Sequence, residues 1–210
     1  MRKLIVLAAG LLVFLGSLAA FMSLGLFTDT AQIQNGSFTT GTLDIDLSDN
    51  NETDQDNLVN TQLTLSNMAP GDQVQPTVGI TVRNNGSLAL RYALYASATD
   101  ADARNLKDEL EVTIRAIDTV TADGNCDDFD GVVIYGPTAN WDGAAAANTF
   151  VAIFGNSAAG PDSGDRTLAA SVSEVLCIRV RLPITAGNAV QNATTTITWE
   201  FRAEQTINNP

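Results

Sequence analysis

Val78-Gly79-Ile80-Thr81-Val82-Arg83-Asn84-Asn85-Gly86-Ser87-Leu88-Ala89-Leu90-Arg91-Tyr92-Ala93-Leu94-Tyr95-Ala96 is the stretch on which the fold turns. Val78, Ile80 and Val82 share one face of an extended chain, and Leu88, Leu90, Tyr92 and Leu94 share one face of the next. Between the two runs, Asn84-Asn85-Gly86-Ser87 carries Asn-Gly, the pair that best tolerates the positive φ angles of a type I′ turn. The stretch therefore predicts two antiparallel strands joined as a hairpin.

The same period of two extends outward in both directions. Thr42–Leu47 alternates, Leu58–Leu65 follows, and Met68-Ala69-Pro70-Gly71-Asp72 breaks the pattern as a turn before Val74–Val82 resumes. Downstream, a short helical turn over Leu106–Glu111 leads into alternation over Glu109–Ile117. Residues 118–170 are irregular, with short apolar runs at Val132–Tyr135 and Phe150–Phe154. Val172–Leu182 and Thr194–Gln205 are the last two strands. Seven to nine strands with turns every eight to twelve residues predict an all-β, antiparallel β-sandwich of jelly-roll or Greek-key type. Its expected core is Leu43, Ile45, Leu63, Leu65, Ile80, Val82, Leu90, Tyr92, Val112, Ile114, Ile178, Val180, Ile197, Trp199 and Phe201.

Ahead of the strands, Arg2 and Lys3 precede an uncharged run that lasts to Asp29, apolar over Leu4–Phe14 and followed by Ser17-Leu18-Ala19-Ala20. A charged start, a greasy middle and small residues describe a secretory signal helix. A retained membrane helix is the competing reading. The expected organisation is a signal peptide over residues 1–26 and one sandwich domain over 27–210. Cys126 and Cys177 then belong to an exported chain, where an even count favours a disulfide. Closing their 51-residue separation would remove roughly 4 kcal/mol of unfolded-chain entropy.

Charge and composition exclude several functions. Eleven basic residues stand against 24 acidic ones, for a net charge of -13, so the surface repels phosphate backbones and no nucleic-acid partner is expected. The chain has no histidine, which removes Ser-His-Asp and Cys-His catalysis and HExxH zinc sites together. Carboxylates crowd at Asp44, Asp46, Asp49, Glu52, Asp54 and Asp56, and again at Asp123, Asp127, Asp128 and Asp130. Neither run has EF-hand spacing, so solvated acidic loops are the expectation and calcium a lesser one; no cofactor is expected.

Several blocks resemble a known family in order and spacing. Phe27-Thr28-Asp29-Thr30, then Phe38-Thr39-Thr40-Gly41-Thr42-Leu43-Asp44-Ile45, then Asn67-Met68-Ala69-Pro70-Gly71-Asp72, then Asn84–Tyr92, and finally Val190-Gln191-Asn192 with Trp199–Gln205 are similar to the TasA and camelysin family of secreted fibre proteins. Within them Gly41, Thr42, Leu43, Asp44, Pro70, Gly71, Asp72, Asn85 and Gly86 carry the motifs. Residues 118–170 are not covered by the likeness, and each motif alone also reads as good turn or strand chemistry.

The resemblance implies a mature chain cut before Phe27 by a signal peptidase of the SipW type. It implies a secreted structural protein of the extracellular matrix or cell surface that polymerises with itself, with accessory matrix proteins as further partners. Residues 27–38 are the expected donor segment. Phe27, Ile33 and Phe38 are apolar among polar neighbours and would complete a sheet of the next subunit. Camelysin-type metallo-endopeptidase activity is the alternative. A chain without histidine lacks the usual zinc ligands, so no enzyme is expected.

Overall fold

A computed structural model of the chain describes residues 41–49, 68–75, 77, 79–117, 126–139, 141, 144 and 146–206. The expected signal helix, the donor segment and the strand over Leu58–Leu65 lie outside the described residues. Among the described residues ten strands form two antiparallel sheets, an all-β sandwich. They are β1 (Ile45–Ser48), β2 (Gln73–Val74), β3 (Ile80–Asn84), β4 (Leu90–Ala98), β5 (Glu111–Ala116), β6 (Val132–Ala139), β7 (Val151–Phe154), β8 (Arg166–Leu168), β9 (Ser173–Arg181) and β10 (Ile197–Gln205). The larger sheet runs β1-β3-β9-β5-β6, with β2 also on β9. The smaller runs β10-β4-β7, with β8 also on β4. A single helical turn, α1 (Leu106–Glu109), sits where the sequence suggests one.

The quoted stretch folds as two strands but not as a hairpin. β3 belongs to the larger sheet and β4 to the smaller, so residues 85–89 cross between sheets. Neither Asn85 nor Gly86 takes a positive φ. The reason is the Asn84 side chain, which is wholly buried. Its amide nitrogen donates toward the carbonyls of Leu88 at 2.8 Å, Ala169 at 3.1 Å and Leu168 at 3.2 Å. Its oxygen accepts from Gly86 N–H at 3.0 Å. A buried amide with its acceptors met replaces the ladder a hairpin would have supplied.

The core lies between the sheets. Ile80, Val82, Val112, Ile114, Leu176, Ile178 and Val180 face Leu90, Tyr92, Leu94, Ala96 and Ala98, all buried. Ile45, Ile197, Trp199 and Phe201 pack against this cluster but stay partly exposed. Leu43 is a correction: it precedes β1 and is 45% exposed, because Gly41–Asp44 meet the crossover instead of entering a sheet. The expected strand over Val74–Val82 also divides, into β2 and β3 at different places along β9. Besides Asn84, a second polar tie joins the layers: Tyr92 Oη donates to Glu174 Oε1 at 2.7 Å, and Arg166 Nε donates to both Glu174 oxygens at 2.9 Å. Burial, then the Glu174 charge, pushes the Tyr92 phenol well above its ordinary value.

Candidate functional site

Sheet edges are where an antiparallel sandwich can accept another chain, and those of this molecule differ. β1 spans four residues. β7 and β8 lie one after the other along β4 and break that edge in two. β6 pairs with β5 through two register shifts, and its middle holds Gly136 at φ 73° followed by a cis Pro137. Proline donates no hydrogen bond and bulges twist an edge away, so β6 is blunted.

β10 is different. It pairs with β4 over nine successive residues, from Ile197 opposite Ala98 to Gln205 opposite Leu90, with no shift. It contains no glycine or proline, and among the described residues its other side pairs with nothing. Trp199 rests on the buried Trp141 ring at 5.6 Å between centroids, and Phe201 lies 5.9 Å from Tyr92. No residue of β10 is fully buried, so the apolar face formed by Ile197, Trp199, Phe201 and Ala203 is only half covered.

The two motif blocks at 41–44 and 84–88 meet beside this edge. Thr42 N–H donates to Ser87 Oγ at 2.9 Å, and Ser87 N–H donates to the Thr42 carbonyl at 3.1 Å. Asn85 N–H donates to the Asp44 carbonyl at 3.0 Å. Gly86 passes so close that a Cβ there would lie 2.4 Å from the Thr42 oxygen, and one on Gly41 would lie 2.4 Å from Leu88 Cγ. These glycines serve close approach. The end of β10 arrives at the same place, with Thr206 N–H donating to the Ala89 carbonyl at 3.0 Å. Gly41–Asp44 and the C-terminal end of β10 thus meet the same crossover.

The third block is a turn, as expected. Asp72 N–H donates to the Ala69 carbonyl at 2.9 Å, Gly71 has φ 101°, and Asp72 Oδ2 accepts from Ala69 N–H at 2.7 Å. Those are type II turn features with Pro70 at the second position. Reciprocal 2.8 Å bonds between this turn and Leu182 pin it to the end of β9.

The expected disulfide is present. Cys126 and Cys177 are bonded with Cα atoms 5.5 Å apart, both 1% exposed. The bond fastens the loop before β6 to the outward face of β9, where Phe129 also packs. Gly79 is a residue that sequence reading passed over. A Cβ there would lie 2.7 Å from Cys126 Sγ and 2.7 Å from the Leu176 carbonyl, so the bridge lies on bare backbone. Among the described residues no three Asp, Glu, Cys or His side chains cluster in a way that could hold a metal ion. No protein-family model matches the chain, and no curated protein matches it significantly.

Proposed function

We propose that the protein is a secreted structural subunit that polymerises by donating residues 27–38 to the open β10 edge of a neighbouring copy. The single observation that carries this reading is β10 itself: nine residues of unbroken strand, unpaired on one side among the described residues, with an apolar face half covered. An extended peptide laid along it gains a full ladder of main-chain hydrogen bonds and fills the remaining apolar groove. The family resemblance and the apolar Phe27, Ile33 and Phe38 support the same donor, and the disulfide suits an oxidising compartment. No feature of the described residues favours the peptidase alternative.

The test is deletion of residues 27–38. The shortened protein should remain a folded monomer that forms no filaments by negative-stain microscopy. In an unbroken strand Phe27 and Ile33 fall on one face and Phe38 on the other. Ile33→Asp should therefore abolish growth, since burying an unpaired carboxylate costs several kcal/mol. Filaments of normal length and yield from the deleted chain would refute the donor role.

A further inference from the structure

The outward face of the larger sheet carries a cationic cleft on a chain whose net charge is -13. Register sets Glu111, Thr113 and Arg115 of β5 opposite Arg181, Arg179 and Cys177 of β9. Because strand side chains alternate, all six stand on the side away from the core. Pro137 of β6 forms another wall, and with Glu111, Thr113, Arg179 and Arg181 it lines a small cleft of about 100 Å³. Phe129 lies against the same patch, its ring centroid 4.1 Å from the Arg179 guanidinium carbon and 5.1 Å from that of Arg115.

Charge within this patch is not balanced. Glu111 is engaged by Arg181, whose Nε donates to Oε2 at 2.9 Å. Arg115 donates to the Gly131 carbonyl at 3.2 Å, while its buried Nε has no hydrogen-bond partner among the described residues. Arg179 has an aromatic face beside it but neither a hydrogen bond nor an ion pair with any described residue. By contrast Arg91, Lys107, Arg166 and Arg202 each meet a carboxylate. Partial burial and then the neighbouring Arg115 and Arg181 charges hold Arg179 below its ordinary value, the expected result of gathering like charges without a counterion.

We propose that this cleft binds a small oxyanion, a carboxylate, phosphate or sulfate group, with Arg179 as its principal ligand and Thr113 beside it. A guanidinium offers two parallel N–H donors that match such a group, and a cleft of about 100 Å³ has room for a small anion and no more. The ligand is small because the acidic remainder of the surface repels a polyanion. Glu111 works against the site as well as positioning Arg181, so its charge lowers the affinity.

The experiment is calorimetric titration of the purified protein with acetate, phosphate and sulfate, each at constant ionic strength maintained with chloride. At least one should bind with one-to-one stoichiometry. Arg179→Gln should weaken it about tenfold or more, and Arg179→Lys by less, because the charge remains while the fork is lost. Glu111→Gln should tighten binding, and Arg104→Gln, which removes a guanidinium held on the Gln191 carbonyl, should leave it unchanged. Circular dichroism confirms that each variant is folded; if Arg179→Gln is not, Arg179→Lys and Glu111→Gln decide the matter. Absence of binding by all three anions would overturn the proposal, as would equal affinity in a folded Arg179→Gln.

Discussion

β6 and β10 are both outer strands of eight or nine residues, and they treat the problem of an exposed edge in opposite ways. β6 carries register shifts, a glycine at positive φ and a proline, and its exposed Val132 and Val133 therefore have no straight ladder to offer. β10 has an unbroken register, and its inward side chains are half covered. A soluble protein normally blunts every edge. Blunting one and leaving the other regular is what makes β10 the acceptor edge in the proposed assembly.

The largest expected effect comes from breaking β10's readiness without unfolding it. Ala203→Lys directs a charge into the half-covered groove, one of the devices that protects natural edges. Filament growth should cease, while the melting temperature of the monomer changes by only a few degrees. Normal filaments from this variant would move the acceptor elsewhere.

Removing the bridge on the β6 side should affect stability and spare assembly. Cys126→Ser with Cys177→Ser should cost about 2–5 kcal/mol in urea unfolding, with filament yield retained wherever the monomer stays folded. Loss of filaments from a folded, bridge-free monomer would mean that the two sides of the sandwich are coupled.

A smaller effect concerns the tie between the layers that both edges share. The folded chain keeps the Tyr92 proton that the unfolded chain gives up near pH 10. This contribution is complete below that pH and is lost as pH rises above it. Stability should therefore begin to fall near pH 10 and keep falling as pH rises further, and Tyr92→Phe should flatten that fall. An unchanged slope would show that the phenol does not govern it.

Smallest is the effect of partly restoring β6. Pro137→Ala returns a main-chain donor to the blunted edge, and light scattering at high concentration should show slight lateral association. The bulges remain, so no ordered filament should grow from that side. Ordered growth would remove the contrast between the edges.

The turn at Pro70-Gly71-Asp72 could be read from its residues because type II geometry depends on four neighbours and on glycine's freedom at the third. The hairpin at Asn85-Gly86 was misread for the complementary reason. Its local chemistry permits a turn, but three carbonyls from Leu88, Leu168 and Ala169 converge on Asn84, and two of them lie more than eighty residues away. Leu43 failed as a core residue because alternation continues through residues 42–44 while the backbone there pairs with a crossover. The open edge was only half legible: Ile197, Trp199 and Phe201 marked a strand with one apolar face, but nothing local says that it has a single neighbour among the described residues.

By itself, then, the sequence determined the all-β class, most strand positions, the sides of β4 and β9 that face inward, and the cysteine pair, since period two, turn chemistry and an even thiol count are properties of the chain as written. Only the tertiary structure decided which sheet each strand joins, that Gly79 must be bare for the bridge to pass, that Arg179 and Arg115 share one aromatic ring, and which edge stays regular. Those features depend on partners distant in sequence, where the gain from burial and paired hydrogen bonds across the whole sandwich outweighs any preference of a few neighbouring residues.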